Sequence, residues 1–506
     1  PKPQNPILMN NLLSLNINLQ FIIIKYKMKV LSSNQIRLGD TYTIANEPIT
    51  SIDLMERASQ TFVTWFVSKF SKENRYSYFP SFSLAWRANN ENFLKNSDTI
   101  NDLKFRIGWG MTGNQGISAY QTFANYGPTL YGNLDEGTSI GFVPLNVSNP
   151  NLKWETTKQL NFGLDFGLWK NRVTGTLDIY DKQTDDLLLN QPLGPSSGFT
   201  SLLVNRGSIN NKGVELTLSG TLINKNDFSI DLGGNIAFNK SKIQNLGGSS
   251  EDIYINGTLE NRVFYRGQNI STGNYFRAPA NIFMEGEQIG LFYGYETDGI
   301  YQTEDDITVS GAQAGDVRIV DQDGDDTITE ADRKRIGNQN PDFVYGGYLN
   351  MNYKRLSLSV QINGVYGNEI VNGNLIQLGT AEGRTANVLS EAYNNAWRPD
   401  AQSNSYPRVG YLGESGSPAI TDRIIEDGSF LRISNITLGY DIPVEKTNVF
   451  SSANVYVSGM NLFTFTDYSG YNPEITNFMN NGNVVGVDWN GFPNAQTIML
   501  GLNLKF

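Results

Sequence analysis

Twelve residues in the second half of the chain, DQDGDDTITEAD (Asp321 to Asp332), place carboxylates at positions one, three, five and twelve and an isoleucine at position eight. Hard oxygen donors at this spacing wrap a divalent cation of calcium's size. Asp321, Asp323 and Asp325 would offer side-chain oxygens and Thr327 its backbone carbonyl. Thr329 would bind directly or through water, Asp332 would close the loop, and Ile328 would anchor it inward. Two positions depart from the ideal: Asp326 stands at position six, where glycine suits the sharp turn, and the closing residue is Asp rather than Glu. The competing reading is a solvated acidic Asp-Gly turn, since no helix pair flanks the loop. A bound calcium here would be a structural clamp, because carboxylates that repel one another in a loop with little core are held together by a cation.

Other chemistry is largely excluded. Histidine and cysteine are both absent, which removes Ser/His/Asp and Cys/His nucleophiles, imidazole or thiolate zinc sites and disulfides. No activated nucleophile or base is marked elsewhere, so the chain does not read as an enzyme. A net charge of -11 and the lack of a basic stripe argue against nucleic acid. No window of about 18 apolar residues forms a membrane helix. FIIIKYKMKV (Phe21 to Val30) is too short for one and lacks a cleavage site, and its alternation favours a strand.

The elements that must carry the acidic loop are strands, because apolar residues recur with a period of two. Leu103, Phe105, Ile107, Trp109 and Met111 oppose Lys104, Arg106, Gly108 and Gly110; Leu160, Phe162, Leu164, Phe166 and Leu168 oppose Asn161, Gly163, Asp165 and Gly167. The segments ending at Leu222, Ile362 and Phe506 repeat the pattern. A soluble β-sandwich also alternates. Two features favour a membrane barrel: the apolar face runs unbroken for roughly ten residues, and the opposite face carries Gly, Ser, Thr, Asn and isolated charges suited to a hydrated lumen.

About twelve crossings follow, from 60–70 to 496–506. Tight links (Trp169 to Asn171, Ile223 to Asp227, Tyr353 to Arg355) fall on one side, and 113–158, 184–207, 240–342, 367–428 and 466–495 on the other, with only the short link Ser71 to Asn74 breaking the pattern. That is the asymmetry of short periplasmic turns and long extracellular loops. GLFYGYETDGIY (Gly290 to Tyr301) then belongs to the excursion 240–342, and a slip of apolar phase predicts a bulge near Ser434 and Asn435. Trp154, Trp397, Tyr468, Tyr471 and Trp489 fall in the long loops, where aromatic faces could stack on sugar rings or pack on a partner, although most loop aromatics only pack. Lys104 and Arg106 could meet anionic solutes, or pair with Asp165 or Glu215 or with a plug.

Seven motifs together resemble the SusC/RagA-like TonB-dependent transporters of Bacteroidetes-type outer membranes. They are RYSYFPSFSLAWR (Arg75 to Arg87), LKFRIGWGMTGNQGI (Leu103 to Ile117), NPNLKWETT (Asn149 to Thr157), NRGSINNKGVELTL (Asn205 to Leu218), the run Gly315 to Gly346, EDGSFLRISNITLGY (Glu426 to Tyr440) and NLFTFTDYSGYNPE (Asn461 to Glu474). The resemblance implies an all-β fold, the C-terminal portion of a large antiparallel barrel of about 22 strands with long extracellular loops. It implies an outer-membrane location, bathed in lipid. It also implies import of an oligomeric solute, an oligosaccharide more than an oligopeptide, with a SusD-like surface lipoprotein as lid. Coupling to TonB would run through an N-terminal plug region with no counterpart in these residues. Residues 59–506 are assigned to the barrel and 1–58 are left unassigned. In resembling proteins a terminal aromatic such as Phe506 is an outer-membrane assembly signal. The rival functions are a passive porin and a secreted calcium-dependent adhesion or glycan-binding protein.

Overall fold

The computed structural model describes residues 71–506 apart from 72, 133–136, 268, 272–276, 380–386, 410–419, 445–449, 476–483 and 490. The expected strands at 21–30 and 60–70, and the unassigned segment 1–58, lie outside the described residues.

Eleven strands form one antiparallel wall, each paired with its neighbour in sequence. We number them β1 (Ser81–Arg87), β2 (Ile100–Asn114), β3 (Glu155–Leu168), β4 (Val173–Asp185), β5 (Ser208–Lys225), β6 (Phe228–Asn245), β7 (Phe343–Tyr353), β8 (Leu356–Tyr366), β9 (Phe430–Ile442), β10 (Ser452–Thr466) and β11 (Thr497–Lys505). Among the described residues the wall is an open sheet with β1 and β11 at its edges. The tight links join β3 to β4, β5 to β6 and β7 to β8, and the long excursions leave from the opposite ends. Trp169, Lys170 and Asn171 all take positive φ in the first of these links, at 52°, 60° and 59°.

Alternation sorts the two faces of the wall. One face stays apolar and exposed: Leu160, Ile107, Leu438, Val457 and Leu500 all keep 44% or more of their surface open. A continuous band of this kind is stable only against an apolar surrounding. The other face is polar, and Arg106 is its hub. Its guanidinium donates to both carboxylate oxygens of Asp165 (Nε–Oδ2 2.9 Å, Nη2–Oδ1 2.8 Å) and to Asp178 (Nη1–Oδ1 3.1 Å), while Lys104 Nζ stands 3.4 Å from Asp165. Of the alternatives open in sequence, the structure selects Asp165 on the next strand and adds Asp178 on the one after; Glu215 is not among these partners. Gly163 makes this bridge possible, because a Cβ there would come within 2.4 Å of the Arg106 guanidinium carbon.

The expected bulge is present. Register slips between Ile433 and Asn435 against both neighbours, and Ser434 donates to the Gln361 carbonyl at 3.1 Å. Residues Gly290 to Tyr301 are outside the wall, as parity requires: Leu291–Tyr295 pairs with Asn281–Met284 and with Arg333–Asn338 in a separate four-stranded sheet.

The chain divides into two compact units. The smaller one comprises the described parts of 71–77, 115–153 and 190–204; it contains a hairpin of Tyr126–Gly132 with Thr138–Pro144, whose Leu130, Ile140 and Phe142 are about 70% exposed. The larger one contains the wall and the three excursions 240–342, 367–428 and 466–495.

Those three excursions share a core. Ile270, Ala280 and Phe292 from the first, Val371, Ile376, Ile420 and Ile424 from the second, and Val484 and Val487 from the third form one buried apolar cluster. Backbone pairing ties the second and third: Glu369–Asn372 is antiparallel to Ile425–Asp427 and parallel to Val487–Asp488. Asn281 ties in the first, its buried amide donating to the Val485 carbonyl at 2.9 Å and accepting from the Val485 N–H at 3.1 Å. That side chain satisfies backbone groups that no strand reaches.

Candidate functional site

The candidate site is this loop assembly at the long-loop end of the wall. Its attachment rests on Arg432, which sits on β9 and is 4% exposed. The guanidinium donates to Thr464 Oγ1 on β10 at 3.0 Å, to Asn472 Oδ1 at 2.8 Å and to the Glu474 carboxylate, and lies 5.1 Å from the Phe430 ring centroid. The start of the third excursion is thereby pinned to the wall by a buried, charge-assisted fork. Glu426 makes a second tie, accepting from Asn372 Nδ2 at 3.0 Å, Ser469 Oγ at 2.7 Å and Ser469 N at 2.7 Å. In the first excursion, Lys334 donates to Glu296 at 2.7 Å, and that contact holds the Glu296 carboxyl below its usual range. Burial pushes the Tyr293 phenol up to about 12, so it is a neutral donor, and its O–H donates a hydrogen bond to the Tyr254 carbonyl at 2.6 Å.

The acidic loop lies within the first excursion. Asp321, Asp323 and Asp325 turn one oxygen each to within 4.8 Å of one another. Asp321 also accepts from Gly324 N at 2.6 Å and Asp326 N at 2.8 Å, which more than offsets desolvation and lowers its pKa. Desolvation and the charges of Asp325 and Asp332 push Asp323 up. Asp326 makes the sharp turn without glycine, at φ 58°. The expectation that Asp332 closes the ring of ligands needs correction. Thr329 caps the short helix Glu330–Asp332, and Asp332 accepts from Thr329 N at 2.7 Å and Gln322 N at 2.8 Å while wholly buried. A capping box has taken the carboxylate, and Thr329 Oγ1 accepts from Ala331 N at 3.1 Å. The donor set fits a hard cation at three carboxylates, with Thr327 N bonded to Asp325 at 2.8 Å in the same turn.

The five aromatic candidates separate. Tyr471 is 79% exposed. Trp397 and Tyr468 are not exposed, contrary to the reading of both as open faces. Trp397 is 6% exposed, donates to Gln302 Oε1 at 3.0 Å, and lies against Gly315, where a Cβ would come within 2.4 Å of its ring and φ is 90°. Tyr468 is 5% exposed and donates to the buried Asp488 at 2.6 Å; burial and that hydrogen bond push its pKa up. Loop segments that build their own core need aromatic side chains to fill it, so both serve as packing. Trp489 packs on the shared cluster and Trp154 is 5.5 Å from Phe79, ring to ring. Phe506 is 81% exposed, with its ring 5.1 Å from Phe450. Arg432, Glu426 and Asn281 were not singled out from sequence. A lone Arg in the alternating strand FLRI, at a lumen-parity position, was the one available signal.

A wall of this topology with its long loops at one end has known relatives. The model of the TonB dependent receptor-like β-barrel matches residues 40–375. The chain belongs to that family. A TonB-dependent receptor of Formosa agariphila is 37% identical over 453 residues, covering 87% of this chain and 43% of its own length. The TonB-dependent receptor SusC of Bacteroides thetaiotaomicron is 32% identical over 452 residues, 87% of this chain and 41% of SusC. The solved RagAB peptide transporter superposes with a TM-score of 0.70 at 27% identity, covering 87% of this chain and 44% of that one. The chain thus spans less than half the length of these relatives. As a TonB-dependent receptor barrel it resides in the outer membrane and crosses by strands; no helix among the described residues is long and apolar enough to do so. Its apolar outer face is the lipid-facing one.

Proposed function

We propose that the chain is the C-terminal part of a TonB-driven importer of oligomeric nutrients, oligosaccharides rather than oligopeptides, that works with a SusD-like lid lipoprotein. The carrying observation is the shared core of the three excursions. Loops with their own core and fixed attachments present a pre-organised surface on which a lid can seat and a solute can be held. A passive porin has no use for such a platform at its mouth. TonB coupling belongs to the N-terminal region of the full-length protein. The protein supplies binding and gating and no covalent chemistry.

Tyr471 is an exposed aromatic face on this platform, suited to stacking on a sugar ring. Aromatic stacking contributes roughly 0.5–1.5 kcal/mol, so Tyr471→Ala in the full-length receptor is expected to weaken oligosaccharide binding by about two- to tenfold, read by titration calorimetry. Co-purification of a surface lipoprotein with the wild type, and uptake of labelled oligosaccharide in preference to oligopeptide, are the accompanying results. Preferential uptake of peptide overturns the glycan assignment, and uptake without any bound lipoprotein overturns the lid. Deleting 367–428 is a poor test of lid binding, because it removes Val371, Ile376, Ile420 and Ile424 from the core.

The same reading gives the acidic loop one structural calcium ion, held by Asp321, Asp323 and Asp325 with Thr327 and Thr329 nearby. Supporting it are the convergent oxygens and the position of the loop in the longest excursion. Chelation is expected to raise the rate of proteolysis within 240–342, and Asp323→Ala with Asp325→Ala to make that rate insensitive to chelator. An unchanged rate in the wild type sinks the clamp.

A further inference from the structure

The lipid-facing side of the wall changes character abruptly near the long-loop end. On β6, Phe238 is followed on the same face by Lys240 and Lys242, both exposed. Phe238 pairs with Val214 and Lys240 with Lys212 on β5; Val214 and Lys212 pair in turn with Ile179 and Asp181 on β4. The result is an apolar row capped by a basic one. These rows line a recess of about 920 Å³, whose apolar wall includes Phe162, Ile179, Val214 and Phe238 and whose other border is Gly286 to Gln288 of the first excursion. That border is fixed to β6, since Ile243 N donates to the Glu287 carbonyl at 2.9 Å and Gly286 N to the Ile243 carbonyl at 2.8 Å.

The charges there do not balance internally. Asp181 is taken by Lys212 at 2.9 Å, and Glu287 by Arg335 at 3.4 Å. Further along the same face, Lys158 and Asp185 pair with each other at 3.1 Å. Lys240 and Lys242 have no ion-pair partner among the described residues, and Lys240 stands directly across from Lys212. A like-charged cross-strand pair is destabilising unless an anion lies between its members.

We propose that this recess binds a membrane lipid whose phosphate headgroup carries a net negative charge. Its acyl chains lie on Phe162, Ile179, Val214 and Phe238, and its phosphate is held by Lys240 and Lys242 beside Lys212. The commitment to a lipid rests on position: the basic row begins where the lipid-facing apolar row ends. Lysine stems can follow the apolar surface while the ammonium groups reach the headgroup level. The inference depends on the barrel lying in a bilayer and not on what it transports.

The test uses the full-length receptor in mild detergent, with native mass spectrometry reading retained phosphatidic acid against phosphatidylcholine of the same chains. The wild type is expected to retain phosphatidic acid preferentially. Lys240→Gln and Lys242→Gln are expected to lower that preference about fivefold each, the contribution of one basic residue near an anionic surface. Lys505→Gln, at the opposite end of the wall, is expected to leave it unchanged. Equal retention of the two lipids by the wild type overturns the proposal, as does a preference that survives both substitutions. Displacement of the lipid by millimolar inorganic phosphate overturns it as well, since that marks a simple anion site.

Discussion

Phe292→Ala is expected to cost the loop core about 3–5 kcal/mol, the range for truncating a buried phenylalanine. Phe292 is 0% exposed and sits in the cluster to which all three excursions contribute. Its ring also lies close to Gly486 and Gly337, where a Cβ would come within 2.7 and 2.9 Å. The side chain thus fills space that two backbone segments leave for it, and those segments cannot collapse far into the cavity. The wall does not share this core. Hydrogen exchange on the full-length receptor should therefore show loss of protection in 264–295, 369–378, 420–427 and 484–488 while β2 to β11 keep theirs. Simultaneous loss across the wall would falsify the separation of loop core from barrel.

Glu474→Ala is expected to cost about 2 kcal/mol, within the range for removing one partner of a hydrogen bond to a charged group. The asymmetry between the partners sets the size of the effect. The Arg432 side chain is 5% exposed and the Glu474 side chain 43%, so removing the acid leaves a buried charge short of a partner, and water entering the space the carboxylate vacates offsets part of the loss. Thr464 and Asn472 still accept from the guanidinium, which keeps the cost from reaching the top of the range. The readout is limited proteolysis: cleavage within 466–475 should rise by about 25-fold, following the opening equilibrium at roughly 1.4 kcal/mol per decade. Glu474→Gln should restore part of the protection, because an amide oxygen can accept the hydrogen bond without carrying the charge.

The wall was legible because lipid on one side and water on the other impose alternation on every crossing. Nearly all its described strands fall within a few residues of the expected bounds. The error at β6 is informative. Its expected end was 239, and the strand runs to Asn245. Lys240 and Lys242 continue the outward face, so the apolar signal stops at the membrane boundary while the backbone ladder continues. The loop core was not legible, because no single excursion carries enough periodic apolar residues to announce it; its members lie on strands of two to five residues, short helical turns and loops that are far apart in sequence. Trp397 and Tyr468 were misplaced for the same reason: an aromatic in a loop reads as exposed unless the loop's core is known. Asp332 shows another limit. Spacing identified an oxygen donor and could not reveal that the backbone N–H groups of Thr329 and Gln322 compete for it.

The shared core also dictates a schedule for biogenesis. Phe292 and Val487 meet in one cluster although nearly two hundred positions separate them, and Val484 and Val487 lie just before the last strand. A chain emerging from its N-terminus can pair β3 with β4, β5 with β6 and β7 with β8 by local hairpins, but it cannot complete the apolar cluster until the final excursion arrives. Contacts of such long range are slow to close, because loop entropy is lost before any burial compensates it. Until then the first excursion leaves Ile270, Ala280 and Phe292 without their apolar partners, so this is the interval in which the unfinished chain is most prone to aggregate.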